Sequence, residues 1–233
     1  MKNILKNGKA SFTVETPYKL IETGSLSSQK PLIVYLHGFN QNIELFEKLV
    51  EPMFDVEGYH LFIQAPYPIY DRSREKKVEE WGCSWYLYDG EQEQFVKSLE
   101  SASEFVEVEI DRVIKQVSPS RTAVLGYSMG GYLAGYLGLS RYPQVDDLVV
   151  VGARIKTEVF AGKPQNYEQL NVLALHGSAD RSVKSGPQEK SCRQLAKWGT
   201  RVTFKELEKG HKLDEQYLDE AKSWLNSFGY KLL

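Results

Sequence analysis

Little sulfur, no surplus of basic charge and no long apolar run mark this chain, and each shortage narrows what it can be. Its two cysteines, Cys83 and Cys192, lie far apart, without the close spacing of a zinc or haem motif. They predict a reduced, cytoplasmic protein with no metal site; a disulfide joining them is the other arrangement that their number allows. Lysine and arginine total 29 against 31 aspartates and glutamates, a net charge of -2. No cationic surplus exists to hold a polyanion, so nucleic acid is not an expected partner. No stretch approaches the roughly 18 apolar residues of a membrane span. The segment Met1 to Gly8 is charged and lacks the apolar core of a signal peptide. Stable membrane insertion is therefore not expected.

What is present fits an ordinary globular protein. Hydrophobic residues make up 42% and charged residues 26% of the 233 positions. That length suits a single domain over residues 1–233, with room for an inserted lid. A homodimer is compatible with the sequence.

Strand-like and helix-like runs alternate along the chain. Ser11–Val14 and Tyr18–Ile21 alternate apolar with polar residues and predict an opening hairpin. Pro31–Leu36, Tyr59–Gln64, Thr122–Leu125, Leu148–Gly152, Asn171–Leu175 and Val202–Leu207 predict strands, most of them continuous apolar runs of the kind buried on both faces. Helical spacing appears over 43–54, 91–117, 129–140, 187–198 and 213–228. Residues 67–90 fit neither period and are rich in aromatic and charged side chains, so an irregular loop or lid is expected there. The alternation predicts an α/β fold: a mostly parallel, twisted sheet with helices on both faces and an antiparallel N-terminal hairpin at its edge.

Gly126-Tyr127-Ser128-Met129-Gly130 has the form G-x-S-x-G. It lies between a predicted strand and a predicted helix, the setting in which a serine is lifted clear of its backbone at a tight turn. The small neighbours let adjacent backbone approach, and the free N–H groups of the helix start face developing negative charge. The bland alternative is a strand–helix turn whose serine only caps the helix. A serine hydroxyl needs a base near neutral pH. Two of the four histidines follow Ser128. His176 closes an apolar run and is expected to pack there, whereas His211 sits beside Gly210 in a loop between the last strand and last helix. His211 is the expected base. Asp180 follows the strand that ends near His176, at the edge where parallel sheets bind ligands. Asp146 and Asp147 precede their strand, and Asp214 reads as a helix start. Asp180 is therefore the expected orienting acid. The backbone N–H groups of Phe39, after the strand 31–36, and of Met129 are the expected oxyanion donors.

These landmarks, Leu36-His37-Gly38-Phe39-Asn40, Gly126 to Gly131, His176-Gly177-Ser178-Ala179-Asp180 and Gly210-His211, together resemble α/β-hydrolases. More narrowly, they resemble the small carboxylesterase, lysophospholipase and acyl-protein thioesterase group. The resemblance spans about residues 31–228 and rests on motif order. It implies that Trp85-Tyr86 corresponds to a segment lining the acyl pocket, with Phe39 beside it; core packing is the other role open to Trp85. Asn40, Met129, Lys184 and Leu87 depart from the residues usual in that group, and they fall on the oxyanion loop and the pocket rather than on the triad.

The reading that follows is a serine hydrolase of carboxylic esters or thioesters with a modest acyl chain, acting on a small-molecule substrate without cofactor or metal. A peptidase or amidase on the same triad is a second reading. A non-catalytic binding protein on a hydrolase scaffold is a third.

Overall fold

A computed structural model describes residues 5–8, 10, 13–25, 29–141, 143–162 and 167–233. The chain builds a seven-stranded sheet from β1 (Tyr18–Thr23), β2 (Leu32–Leu36), β3 (Gly58–Ile63), β6 (Thr122–Tyr127), β7 (Asp147–Val151), β8 (Asn171–Gly177) and β9 (Arg201–Leu207). Two further strands, β4 (Tyr67–Pro68) and β5 (Cys83–Ser84), pair with each other outside it. The order across the large sheet is β1-β3-β2-β6-β7-β8-β9. All its pairings are parallel except that of β1, which runs antiparallel to β3.

The continuous apolar runs become strands covered on both faces. Within β2, Leu32, Val34 and Leu36 join one buried cluster while Ile33 and Tyr35 join the other, as the two-residue period requires. Helices α2 (Gln92–Val117), α3 (Met129–Ser140) and α4 (Ser185–Lys197) pack on the first face through residues such as Leu99, Val106, Leu133 and Leu195. Helices α1 (Ile43–Leu49) and α5 (Glu215–Ser227) cover the second through Phe46, Leu218 and Leu225. Asn42 caps α1, its side chain accepting the Leu45 N–H at 2.9 Å. This is the mixed α/β sheet expected from the alternation of apolar runs.

Two local expectations change. The antiparallel edge is present, but β1 takes β3 as its partner; Thr13 and Val14 hold no strand pairing, and residues 11–12 lie outside the described residues. Residues 67–90 are less irregular than their composition implies. They fold back through the β4–β5 ladder, with a single turn of 3-10 helix at Val78–Glu80 between. Strands two residues long carry no period to read. The base of this excursion is pinned to the loop after β2: Asn40 N donates to Cys83 O at 3.0 Å and Cys83 N to Gln41 O at 2.8 Å. Cys83 and Cys192 are both buried and free. Among the described residues, no helix is long and apolar enough to cross a membrane.

Parallel strands in register put their carboxyl ends on one rim. Leu36 pairs with Gly126, Tyr127 with Val151, Val151 with Leu175 and Gly177 with Leu207. The loops that leave those residues therefore share one surface. The opposite rim is closed by a buried carboxylate, Asp147, which accepts from Arg121, Asn171 and Tyr230.

Candidate active site

Ser128 stands between β6 and α3 with φ 52° and ψ -117°. A non-glycine residue there is strained, and such strain persists only where the surroundings dictate it. The constraint is visible on both sides. A Cβ on Gly126 would lie 2.3 Å from Gly130 O, and one on Gly130 would lie 2.1 Å from Leu36 O. The start of α3 thus sits directly against the end of β2, which no larger residue allows. Ser128 N donates to Val151 O at 2.9 Å and fixes the turn to the neighbouring strand.

The structure brings Ser128, His211 and Asp180 together. Ser128 Oγ is 2.8 Å from His211 Nε2, and His211 Nδ1 is 2.7 Å from Asp180 Oδ2. An ionised carboxylate only accepts, so Nδ1 carries the proton and Nε2 is left to accept from the serine hydroxyl. The other carboxylate oxygen accepts the N–H groups of Ser182 at 2.8 Å and Val183 at 2.9 Å. Burial pushes the Asp180 carboxyl up, but the Val183 N–H, His211 and the Ser182 N–H outweigh it and hold the group below its ordinary range.

Three tyrosine and glycine contacts hold the histidine loop, none of them foreseen from the sequence. Tyr127 OH donates to His211 O at 3.0 Å, and Tyr217 OH donates to Gly210 O at 2.9 Å. Gly177 lets the loop approach: a Cβ there would meet Lys209 O at 2.4 Å. Tyr127 precedes the serine in the motif and Tyr217 lies six residues beyond the histidine, but no spacing rule announces either contact.

The remaining histidines are packed. His176 stays at the end of β8, fully buried, its Nε2 donating to Val183 O at 2.8 Å and lying 3.6 Å from Asp180 Oδ2. It therefore borders the acid and its turn. His60 lies under the β1 edge, and burial lowers it to about 4. His37 is likewise lowered to about 4 by burial, against the opposing bond to Gly38 O.

The loop after β2 presents one unengaged N–H. Gly38 N donates to Gln41 Oε1 at 2.7 Å and Asn40 N to Cys83 O at 3.0 Å. Among the described residues, Phe39 N makes no hydrogen bond, and neither does Met129 N, which opens α3 in the turn that lacks intrahelical acceptors.

A solvent-open cavity of about 480 Å³ adjoins Ser128, lined by Phe39, Ser84, Tyr86, Met129 and Tyr132 among others. That size suits a small organic ligand. Phe39 and Tyr86 line it, but Trp85 does not. Trp85 is fully buried, its Nε1 donating to His37 O at 2.8 Å and its ring 5.0 Å from that of His37. The chain bends at Trp85 and Tyr86: Tyr86 lines the cavity, while the Trp85 bond to His37 O braces the loop after β2. Tyr132 was not expected here. It follows Ser128 by four residues, and that helical spacing puts it on the serine's side of α3. Among the described residues, no group of three or more His, Cys, Asp or Glu could hold a metal ion.

Comparison with known proteins places this chain in a family. A model of the phospholipase/carboxylesterase family matches residues 17–228. Lysophospholipase-like protein 1 of Mus musculus is 27% identical over 137 residues, 57% of this chain and 57% of that protein, so the match spans little more than half the relative's length. Among solved structures, esterase PE8 superposes with a TM-score of 0.71 at 19% identity, over 92% of this chain and 99% of that one. The Bacillus cereus carboxylesterase gives 0.69 at 18% identity, over 91% and 94%. These likenesses share the fold, and the family match covers nearly the whole sheet and every loop of its carboxyl rim. The chain therefore belongs to the phospholipase/carboxylesterase family of α/β-hydrolases.

Proposed function

We propose that this protein is a serine hydrolase that cleaves carboxylic esters or thioesters of modest acyl chain through an acyl-enzyme on Ser128. The observation that carries the reading is the unbroken chain from Ser128 Oγ through His211 to Asp180, at 2.8 and 2.7 Å, with the serine held in strained backbone. His211 Nε2 takes the hydroxyl proton as Oγ attacks the acyl carbon. Asp180 keeps the imidazole in the required tautomer and stabilises the imidazolium. The Phe39 and Met129 N–H groups receive the charge that develops on the carbonyl oxygen; one such donor is worth on the order of 3 kcal/mol in the transition state. His211 then protonates the leaving alcohol or thiol, and water repeats the sequence on the acyl-enzyme. The cavity of about 480 Å³ supports a short or medium acyl group. The family match and the esterase and carboxylesterase names of its structural relatives support ester chemistry over amide chemistry.

The test is hydrolysis of p-nitrophenyl acetate together with labelling by a fluorophosphonate. Wild type should turn over the ester and take one label on Ser128. Ser128→Ala should do neither while keeping its circular dichroism spectrum, and His211→Ala should lose turnover likewise. Retained hydrolysis in Ser128→Ala excludes that nucleophile. An unlabelled, inactive wild type turns the reading towards a binding protein on this scaffold.

A further inference from the structure

The cavity beside Ser128 has a neighbour. Tyr86, Tyr88 and Tyr132 also wall a second recess of about 490 Å³, whose far side carries Arg154, Lys156 and Glu158. These three follow β7 on the segment that starts at Gly152, where a Cβ would lie 3.4 Å from the His211 ring. The segment that packs against the catalytic imidazole thus leads directly to the charged wall.

The charges on that wall are incompletely matched. Lys156, 7% exposed, donates to Gln92 Oε1 at 2.7 Å, pairs with Glu158 Oε1 at 2.8 Å and lies 5.6 Å from the Phe95 ring centroid. Arg154 pairs with the other Glu158 oxygen at 2.7 Å. Arg154 Nε is buried without a hydrogen-bond partner. Two cations share one carboxylate, and Glu158 is the one acid among the recess's described lining residues. The Nε itself is out of a ligand's reach, but about a third of the Arg154 side chain is exposed (32%), and the unmatched positive charge it carries favours an anionic acceptor there. The recess shares Tyr86, Tyr88 and Tyr132 with the cavity beside Ser128, so the acceptor can arrive on the same substrate.

We propose that this recess binds a carboxylate carried by the substrate, so that the preferred esters bear an anionic group remote from the scissile bond. The proposal rests on the serine-hydrolase reading for its catalytic consequence. Charge balance selects the ligand. One net positive charge matches a monoanionic carboxylate, whereas a phosphate dianion would leave the recess negative beside Glu158. The aromatic walls between Ser128 and the cations suit a methylene or aryl spacer. Arg154 and Lys156 are then specificity residues for the reaction.

The test compares kcat/KM for phenyl hexanoate with monophenyl adipate, which carries the carboxylate on the acyl side, and with 4-carboxyphenyl hexanoate, which carries it on the alcohol side. Wild type should prefer at least one anionic ester by about 10- to 100-fold, the range for charge-assisted hydrogen bonds. Arg154→Gln and Lys156→Gln should each reduce that ratio by about tenfold or more. Arg154 is partly exposed and its replacement decides the matter even if Lys156→Gln fails to fold. Absence of any preference in wild type, or a preference that survives Arg154→Gln, overturns the proposal. Calorimetric titration of Ser128→Ala with monomethyl adipate and methyl hexanoate reads the recess without turnover. If no ester is hydrolysed, the serine-hydrolase reading fails, and this titration alone decides: tighter binding of the monoanion, weakened by Arg154→Gln, supports the recess, and equal binding refutes it.

Discussion

Lowering the pH from 7 to 5 should destabilise this protein by about 3 to 4 kcal/mol through two buried histidines outside the Ser128–His211–Asp180 chain. His37 and His60 are both lowered to about 4 by burial, while an unfolded chain returns them to about 6.5. The sign follows from which state binds the proton. Between pH 6.5 and 4 the unfolded chain is protonated and the folded one is not, so stability falls as pH falls, and the loss is complete below the folded value. Integrated from pH 7 to 5, each histidine contributes roughly 2 kcal/mol. The contacts explain why proton uptake is resisted. His37 Nδ1 donates to Gly38 O at 2.8 Å, so its Nε2 must accept the Ala65 N–H at 3.2 Å. A proton on Nε2 would face that N–H. His60 meets Val56 O and the Tyr35 hydroxyl in a similar neutral arrangement. Urea unfolding at pH 7, 6 and 5, followed by tryptophan fluorescence, measures the slope. His60→Gln should remove about half of it. A stability that is flat between pH 6.5 and 4.5, or a full slope retained in His60→Gln, refutes the reasoning. His37 also stays neutral beside the loop that carries the Phe39 N–H, so it brings no positive charge there.

Asp180→Asn should lower kcat by about 10⁴ with little change in fold, because an amide N–H facing His211 would favour the wrong imidazole tautomer; steady-state kinetics and circular dichroism check both halves. Tyr127→Phe removes the bond to His211 O and should reduce kcat about fivefold while KM is maintained, the effect of one neutral hydrogen bond on a positioned base. Asp147→Ala should cost about 3 to 5 kcal/mol in urea unfolding, since it strands the Arg121 guanidinium and the Tyr230 hydroxyl beside a buried gap. The folded fraction of that variant should hydrolyse p-nitrophenyl acetate at the wild-type rate, because Asp147 closes the rim opposite Ser128.

The legible parts of this protein are those where one physical demand acts on several consecutive residues. A parallel strand covered on both faces must be apolar throughout, so Leu32–Leu36 and Asn171–Leu175 stand out without alignment or structure. A serine turn needs small residues on both sides, so Gly126 and Gly130 mark it. Asp180 and His211 were readable because each follows a strand of that same sheet, and parallel strands deliver their following loops to one rim. Elements that answer to tertiary contacts alone left no such trace. The β4–β5 ladder has two pairs and no period. The partner of β1 was misread because an antiparallel edge can be closed by a distant strand as readily as by a hairpin, and sequence proximity favours only the hairpin.

Substrate recognition belongs almost wholly to the second kind, and Trp85 shows why. A tryptophan beside a tyrosine just after β5 reads as pocket lining, yet Tyr86 lines the cavity and Trp85 does not. Which one does so depends on where the chain is anchored, and here the anchor is the Trp85 Nε1 bond to His37 O. That bond ties the aromatic excursion to the end of β2, from which the loop carrying the Phe39 N–H leaves. Arg154 and Lys156 were invisible for a related reason. Alternation along Ala153-Arg154-Ile155-Lys156 resembles an exposed strand edge, with Ala153 and Ile155 in the core and two cations outward. Side chains from α2, α3 and the excursion, Phe95, Tyr132 and Tyr86 among them, turn that side into a recess. In the proposed recess a segment with an ordinary surface pattern is covered by side chains from elements far away in sequence, and the buried Lys156 is the mark by which it is found.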